Sequence, residues 1–189
     1  SEIQHVRRRE TIAMTPINSF RGLQTITGGQ LKKVDPAQKA NDKEQVLASI
    51  REITETRANP AVASSGLSIQ YAILMGLIDD AFQNHKGKTI KIIVPPNCYG
   101  GTNDQARRVA ACINGVEITD LPVDGGNDMV QSIEQVLEQT AKEDAVPYII
   151  AEIPTNPRVE VPDLIELKVA LSKSRKTKNG TPAVDPVFI

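Results

Sequence analysis

The chain is poor in the residues that build disulfide frameworks and metal centres. Its 189 residues include two cysteines, Cys98 and Cys112, and two histidines, His5 and His85. Two cysteines cannot make a disulfide framework, and these four residues do not have the spacing of a zinc site. We therefore expect a reduced, cytoplasmic protein without a structural metal.

The sequence also lacks an excess of one charge and a long apolar run. Lysine and arginine number 22 and aspartate and glutamate 23, so the net charge is −1 and nothing favours binding to nucleic acid or anionic lipid. The longest apolar run, residues 71–78, is far shorter than the roughly 20 residues that cross a bilayer. No apolar stretch of a secretion signal follows the basic residues 7–9. We expect no association with membranes.

Strand-like and helix-like segments alternate along most of the chain. Residues 21–44 are polar and glycine-containing, which predicts a loop or linker, so we assign 1–42 to an N-terminal arm and 43–189 to one domain. β-branched or apolar runs predict strands at 61–64, 89–94, 116–121, 146–151 and 183–188. Apolar residues at helical spacing predict helices at 43–57, 67–81, 102–113, 128–141 and 161–174, each packing its apolar face inward.

This alternation predicts the fold class. Strands separated by helices of ten to fifteen residues form crossover units, which give a mainly parallel sheet. We therefore expect a three-layer α/β fold with helices on both faces of the sheet. The apolar segment 182–189 resembles a strand that leads into more protein, so we expect the sequence to be part of a longer chain.

Two common nucleotide-binding motifs do not fit the sequence. Gly87, Lys88 and Thr89 resemble the end of a phosphate-binding P-loop, but Phe82 stands where that motif needs its first glycine. A strand is predicted after them, where the motif needs a helix. No Gly-x-Gly-x-x-Gly pattern follows a predicted strand, so a dinucleotide-binding fingerprint is also missing.

Chemistry-bearing residues follow several predicted strands at the point where each strand ends. Ser65 and Gly66 open a predicted helix, whose free N–H groups can hold a phosphate. Tyr99 follows the next strand, Asn156 a later one, and Asp185 completes the series. Singly, such residues are also typical of helix caps, loop aromatics and turns. Because parallel strands end at one edge of a sheet, together they predict one site for a planar, phosphorylated ligand.

The motifs resemble those of the pyridoxal-phosphate enzymes of cysteine and methionine metabolism. This trans-sulfuration family includes cystathionine γ-synthases, cystathionine lyases and methionine γ-lyases. The matching segments are 64–67, 99–102, 152–157 and 184–188, in the family's order. The resemblance implies that residues 43–189 are the first and larger part of the large domain of a fold-type I pyridoxal-phosphate enzyme.

The resemblance also implies a role for each matched residue at the phosphate and the ring. The backbone N–H groups of Gly66 and Leu67, helped by Ser65, would hold the phosphate of pyridoxal 5′-phosphate. Tyr99 would stack on the pyridine ring, and it is the candidate catalytic residue for proton transfer.

Two further residues would contact the polar atoms of the ring. Asn156 would hydrogen-bond the phenolic oxygen, and Asp185 would pair with the pyridine nitrogen. A carboxylate beside that nitrogen favours its protonated form, and the cationic ring then withdraws electrons from a carbanion at the substrate α-carbon.

The implied enzyme acts on sulfur-containing amino acids of the cystathionine type by β- or γ-elimination or by γ-replacement. It would be a cytoplasmic homo-oligomer, a dimer or tetramer, with a small amino acid as substrate. No lysine of the chain matches the family's Schiff-base lysine, so we do not expect this chain alone to catalyse.

Two other functions stay open from the sequence. One is a non-catalytic scaffold or partner subunit that keeps the fold of these enzymes. The other is a binder of a different phosphorylated ligand, which would show no preference for pyridoxal phosphate.

Overall fold

The computed structural model describes residues 16–30, 35–96, 98–123, 128–155, 159 and 161–189. The chain divides into two units, Ser1–Ser64 and Ser65–Ile189. This boundary comes later than the predicted start of the α/β domain at residue 43, so the segment 43–64 belongs to the first unit.

The first unit contains two helices, α1 (Pro16–Ile26) and α2 (Pro36–Thr54). The prediction of a loop or linker over 21–44 is therefore wrong for most of that segment. The start signal of α2 is the pair Asp35 and Pro36, because the Asp35 side chain accepts the N–H of Ala37 at 2.9 Å and proline suits the first helical position. The helix predicted at 43–57 is thus longer and begins earlier.

The predicted inward face of α2 is not buried. Val46 is 51% exposed and Ile53 is 82% exposed, and no described residue of the first unit is buried. Polar and charged residues outnumber the apolar ones around this helix, so it has no broad apolar stripe to bury. The strand predicted at 61–64 is also absent from the described structure.

The second unit is an α/β unit with a parallel sheet. Its strands form one four-stranded sheet in the order β2-β1-β3-β4, and each neighbouring pair is parallel. The predicted α/β class with a parallel sheet is confirmed. Its elements in chain order are α3 (Gly66–Asn84), β1 (Ile90–Val94), α4 (Gly100–Cys112), β2 (Val116–Asp120), α5 (Met129–Lys142), β3 (Val146–Ile149), α6 (Leu164–Ser172) and β4 (Val187–Phe188).

Helices cover both faces of this sheet. Successive residues of β1 point to opposite faces, so Ile92 packs into one apolar cluster and Ile93 into the other. Both residues are fully buried, as expected for a central strand of a parallel sheet. The first cluster draws its helical residues from α3 and α4, including Leu74, Ile78, Ala106 and Val109, and the second from α5 and α6, including Ile133, Leu137, Leu167 and Ala170.

The last strand is shorter than predicted. The sequence predicts a strand over 183–188, but only Val187 and Phe188 pair with β3, opposite Tyr148 and Ile149. Alternate residues of β3, Ala151 among them, donate towards β4, and at Pro147 this N–H is missing, which explains why the ladder begins only after Pro186. The residues before it, Asp185 among them, therefore precede β4 instead of lying within or after it.

Candidate functional site

The connections after β1 and β3 lead away from each other. From β1 the chain passes through α4 to β2 on one side, and from β3 it passes through α6 to β4 on the other. The two connecting helices pack on opposite faces of the sheet. In open parallel sheets, ligands bind in the crevice at the carboxyl ends of two such strands. The loops after β1 and β3 therefore frame the candidate site, which we call the switch-point groove.

A hydrogen bond joins these two loops. The backbone N–H of Tyr99 donates to Oε1 of Glu152 at 3.0 Å. Tyr99 is the N-cap residue of α4, and its own side chain makes no capping bond. The Glu152 carboxylate places negative charge where the helix dipole favours it. The sequence motif contains Glu152, but sequence reasoning gave it no role, since nothing local reveals a partner on another loop.

The N-terminus of α3 meets Tyr99 at Gly101. A Cβ atom at Gly101 would lie 2.6 Å from Cε1 of Tyr99 and 3.1 Å from Cδ1 of Leu67. Glycine leaves the room that the tyrosine ring and the leucine side chain occupy here. The structure thus brings together two of the predicted cofactor-binding residues, Leu67 and Tyr99, from two different helices.

Two glutamines fix the first turns of α3 and α4 against each other. Nε2 of Gln105 donates to the carbonyl oxygen of Leu67 at 2.9 Å, and Nε2 of Gln70 donates to that of Thr102 at 3.3 Å. Each bond runs from the side chain of one helix to the backbone of the other. Both helices therefore present their N-termini at the same edge of the sheet in a defined arrangement.

The first turn of α3 offers backbone donors to an anion. The N–H groups of Gly66 and Leu67 precede the intrahelical ladder and have no carbonyl partner within the helix. A Cβ at Gly66 would meet no atom within 4 Å, so a ligand can approach its backbone. Oγ of Ser65 accepts the N–H of Ser68 at 3.1 Å, which makes Ser65 the cap of this helix.

The ring and the thiol at the start of α4 differ in accessibility and reactivity. Tyr99 is 49% exposed, which leaves part of its ring open to a ligand. The neighbouring Cys98 is half-buried, and burial raises the pKa of its thiol, with the negative charge of Glu152 as the second cause. The neutral thiol is therefore the favoured form of Cys98, and a neutral thiol is a poorer nucleophile than a thiolate.

Asp185 lies at the other edge of the sheet. It precedes Val187, which pairs with Tyr148 of β3, so Asp185 is level with the first residues of the strands. It lines a small cavity with Lys173 and Arg175, which follow the carboxyl end of α6. A five-residue strand such as β1 spans roughly 13 Å. The expectation that Asp185 joins Tyr99 at the carboxyl edge is wrong for its position, because β4 begins only at Val187.

The remaining predicted site residue, Asn156, lies outside the described residues. The structure describes residues 150–155, 159 and 161–163 of its loop, Glu152 among them. The proposed contact of Asn156 with a ligand stays a prediction.

The described residues contain neither a candidate metal cluster nor a candidate membrane-spanning helix. These residues contain no group of three or more His, Cys, Asp or Glu side chains that could hold a metal ion. None of the helices found there has the length and apolar character needed to cross a membrane. In comparisons with known proteins, no family model, no curated protein and no solved structure matches the chain.

Proposed function

We propose that the second unit is the cofactor-binding part of a fold-type I pyridoxal-phosphate enzyme that acts on sulfur-containing amino acids. The observation that carries this proposal is the meeting of Tyr99 and Leu67 above Gly101, beside the switch-point groove. An aromatic ring can stack on a planar cofactor, and helix N–H groups can donate hydrogen bonds to its phosphate. The resemblance of motifs supports the sulfur amino-acid substrate and a cytoplasmic homo-oligomer.

The groove suits the phosphate and one ring face of the cofactor. The open backbone at Gly66 and Leu67 suits the phosphate, and the half-exposed ring of Tyr99 suits one face of the pyridine. Asp185 does not suit the pyridine nitrogen, because it lies at the amino edge of the sheet. We therefore do not propose that Asp185 pairs with the ring nitrogen or favours its protonated form.

The residues of this chain have binding and orienting roles in the proposal. The N–H groups of Gly66 and Leu67 hold the phosphate oxygens, and the Tyr99 ring covers the pyridine and excludes water from that face. When bound, pyridoxal phosphate supplies the electron sink that stabilises a carbanion at the α-carbon of an amino acid. Tyr99 is the candidate proton-transfer group, because its hydroxyl belongs to the ring that lies against the cofactor.

Calorimetry with three small molecules tests the proposal. The ligands are pyridoxine 5′-phosphate, pyridoxine and inorganic phosphate; the first lacks the aldehyde that would react with surface lysines. We expect the phosphorylated ring to bind at least tenfold more tightly than either half, since both subsites contribute. Equal affinity for pyridoxine 5′-phosphate and inorganic phosphate would instead identify a general phosphate binder and refute the proposal.

A non-catalytic subunit with the same groove is the second candidate. It is favoured by the placement of the lysines described between residues 65 and 189. None of them follows the carboxyl end of a strand, so none is placed to bond the cofactor aldehyde in the groove. They are Lys86 and Lys88 before β1, Lys91 in β1, Lys142 and Lys168 in α5 and α6, and Lys173, Lys176 and Lys178 after α6.

Borohydride reduction separates these two candidates. The protein is mixed with pyridoxal phosphate, reduced, digested and analysed by mass spectrometry. A lysine labelled in wild type but not in Tyr99→Ala would show that the groove brings that lysine to the ligand aldehyde, and it would support the enzyme. Labelling that is unchanged in Tyr99→Ala, together with tight binding of pyridoxine 5′-phosphate, would support the non-catalytic subunit.

A further inference from the structure

We infer that Glu152 is a positioning residue, and that the reach of its side chain, more than its charge, sets where the Tyr99 ring lies in the groove. The consequence for ligand affinity rests on the proposed function. The position of the ring itself can be measured without any ligand.

Glu152 extends from a firmly held segment of backbone. Beyond the end of β3, the N–H of Ile150 donates to the carbonyl oxygen of Ile93 at 2.9 Å. The N–H of Ala151 donates to the carbonyl oxygen of Ile189 at 3.2 Å. Ala151 is thus held from the β4 side of β3, and Ile150 is held from the β1 side.

The backbone of Tyr99 has few other constraints on its amino side. The N–H of Cys98 donates to the carbonyl oxygen of Pro95 at 3.3 Å, which closes a turn, and Nδ2 of Asn103 reaches the same oxygen at 3.0 Å. Neither bond involves the N–H of Tyr99. The bond from that N–H to Glu152 therefore ties the turn to the sheet and fixes the direction in which the Tyr99 side chain leaves the backbone.

The space for the ring is narrow enough for this direction to matter. The Tyr99 ring lies closer to the Cβ position of Gly101 than any real Cβ contact allows, and the Leu67 side chain fills the adjacent space. A shift of the Tyr99 backbone would move the ring away from Leu67. The ring and the first turn of α3 would then no longer face one ligand together.

The competing explanation is that Glu152 acts through its charge alone, by stabilising the N-terminus of α4. Two conservative substitutions separate the explanations. Glu152→Gln keeps the reach and the acceptor oxygen but removes the charge. Glu152→Asp keeps the charge but is one methylene shorter. Asp104→Asn is the matched control, since Asp104 pairs with Arg108 on the outside of the same helix at 2.9 Å.

The readout is the nuclear Overhauser contact between the Tyr99 ring and the Leu67 methyl groups in ligand-free protein. The chain has three tyrosines, so selective labelling gives a simple spectrum. The buried ring of Tyr148 reports independently that each variant is folded. We expect the contact in wild type, Glu152→Gln and Asp104→Asn, and its loss in Glu152→Asp. Retention in Glu152→Asp, or loss in Glu152→Gln, would overturn the inference.

A second arm measures affinity for pyridoxine 5′-phosphate by calorimetry. We expect Glu152→Asp to lose roughly tenfold, and Glu152→Gln and Asp104→Asn to stay within about threefold of wild type. A wild type that does not bind would refute the proposed function but leave the ring contact as a test of Glu152. Binding in wild type with equal losses in both Glu152 variants would refute the inference and leave the proposed function intact.

Discussion

The two edges of the sheet differ in how their polar groups are partnered. At the amino edge, cations face carboxylates: Lys88 lies 2.6 Å from Asp144, and Lys91 lies 2.6 Å from Glu117 and 3.1 Å from Glu143. At the carboxyl edge, Asp120 at the end of β2 also pairs with Arg107, but beside β1 and β3 the Glu152 carboxylate accepts a backbone N–H. The first N–H groups of α3 point to the same edge.

This difference separates a structural edge from a functional one. Polar groups at the amino edge gain stability from one another, and Glu117 and Glu143 raise the pKa of Lys91 by hydrogen bonding and charge. Groups at the carboxyl edge keep donors and an aromatic face available. Substitutions at the first edge should therefore change stability, and those at the second should change ligand affinity.

The largest expected effect is on stability, at the amino edge. Arg175 is buried, and its guanidinium donates to the carbonyl oxygens of Ala170 at 2.9 Å and Lys173 at 3.0 Å, at the end of α6. Arg175→Met should lower the free energy of unfolding by about 2–3 kcal/mol, because the two carbonyl oxygens lose the N–H donors of a buried guanidinium. Urea denaturation measures this loss. A loss below about 0.5 kcal/mol would remove the distinction between the edges.

A somewhat smaller effect concerns the buried middle of the sheet at high pH. Burial, and then the charge of Asp80, raise the pKa of Tyr148 to about 12, and its hydroxyl donates to the carbonyl oxygen of Leu77 at 2.7 Å. The unfolded chain loses this proton near pH 10, so the stabilisation is complete below pH 10 and disappears as the pH rises towards 12. Wild type should lose about 2 kcal/mol more than Tyr148→Phe over this range. Parallel losses in urea denaturation would contradict the assignment.

At the carboxyl edge, Tyr99→Ala should weaken the binding of pyridoxine 5′-phosphate roughly tenfold, because stacking on an aromatic ring contributes about 1–3 kcal/mol. Unfolding free energy should change by no more than about 0.5 kcal/mol, since Tyr99 is half-exposed. Tyr99→Phe is the matched control and should bind like wild type. Calorimetry and urea denaturation give both numbers, and a large stability loss without an affinity loss would reverse the roles of the two edges.

A weaker effect sharpens the link between Glu152 and the start of α4. The negative charge of Glu152 is one cause of the raised pKa of Cys98, after burial. Glu152→Gln should therefore lower that pKa and make Cys98 react somewhat faster with iodoacetamide at pH 8. The exposed Cys112 is the internal control in peptide mapping by mass spectrometry. An unchanged ratio of the two rates would show that the charge does not reach the thiol.

The smallest expected effect tests the corrected position of Asp185. Asp185→Asn should leave the affinity for pyridoxine 5′-phosphate within about twofold of wild type, because the residue lies at the amino edge. Calorimetry of Asp185→Asn, Tyr99→Ala and wild type under the same conditions measures this affinity. A loss as large as that of Tyr99→Ala would return Asp185 to the ligand site.

The sequence predicts the central helices and strands of the second unit well. It predicts the starts of α2 and β4, which lie beside prolines, less well. β1 can be predicted because its β-branched residues are buried on both faces. α3 can be predicted because a serine cap precedes a long apolar segment. The start of α2 was missed because Asp35 and Pro36 also suit a turn. The sequence predicts β4 over too long a segment because apolar residues around Pro186 resemble a strand, whereas Pro147 of β3 lacks the N–H that would face the chain beside Asp185.

The residues of the candidate site also divide into those that a local pattern predicts and those that only the folded sheet reveals. Gly66, Leu67 and Tyr99 were found because a strand end followed by a helix start is a local pattern. The bond between Tyr99 and Glu152 joins residues that are 53 positions apart, so only the folded sheet reveals it. The displacement of Asp185 has the same origin, since the register of a strand depends on its neighbours.

The most direct test of a ligand site at the carboxyl edge is an amide NMR titration with pyridoxine 5′-phosphate. Glycine amides mark both edges: Gly66 and Gly101 open α3 and α4, whereas Gly115 and Gly180 precede β2 and β4. With a ligand site at the carboxyl edge, we expect saturable shifts at Gly66 and Gly101 and unchanged signals at Gly115 and Gly180. Shifts confined to Gly115 and Gly180, or no saturable shifts at any of the four, would contradict it.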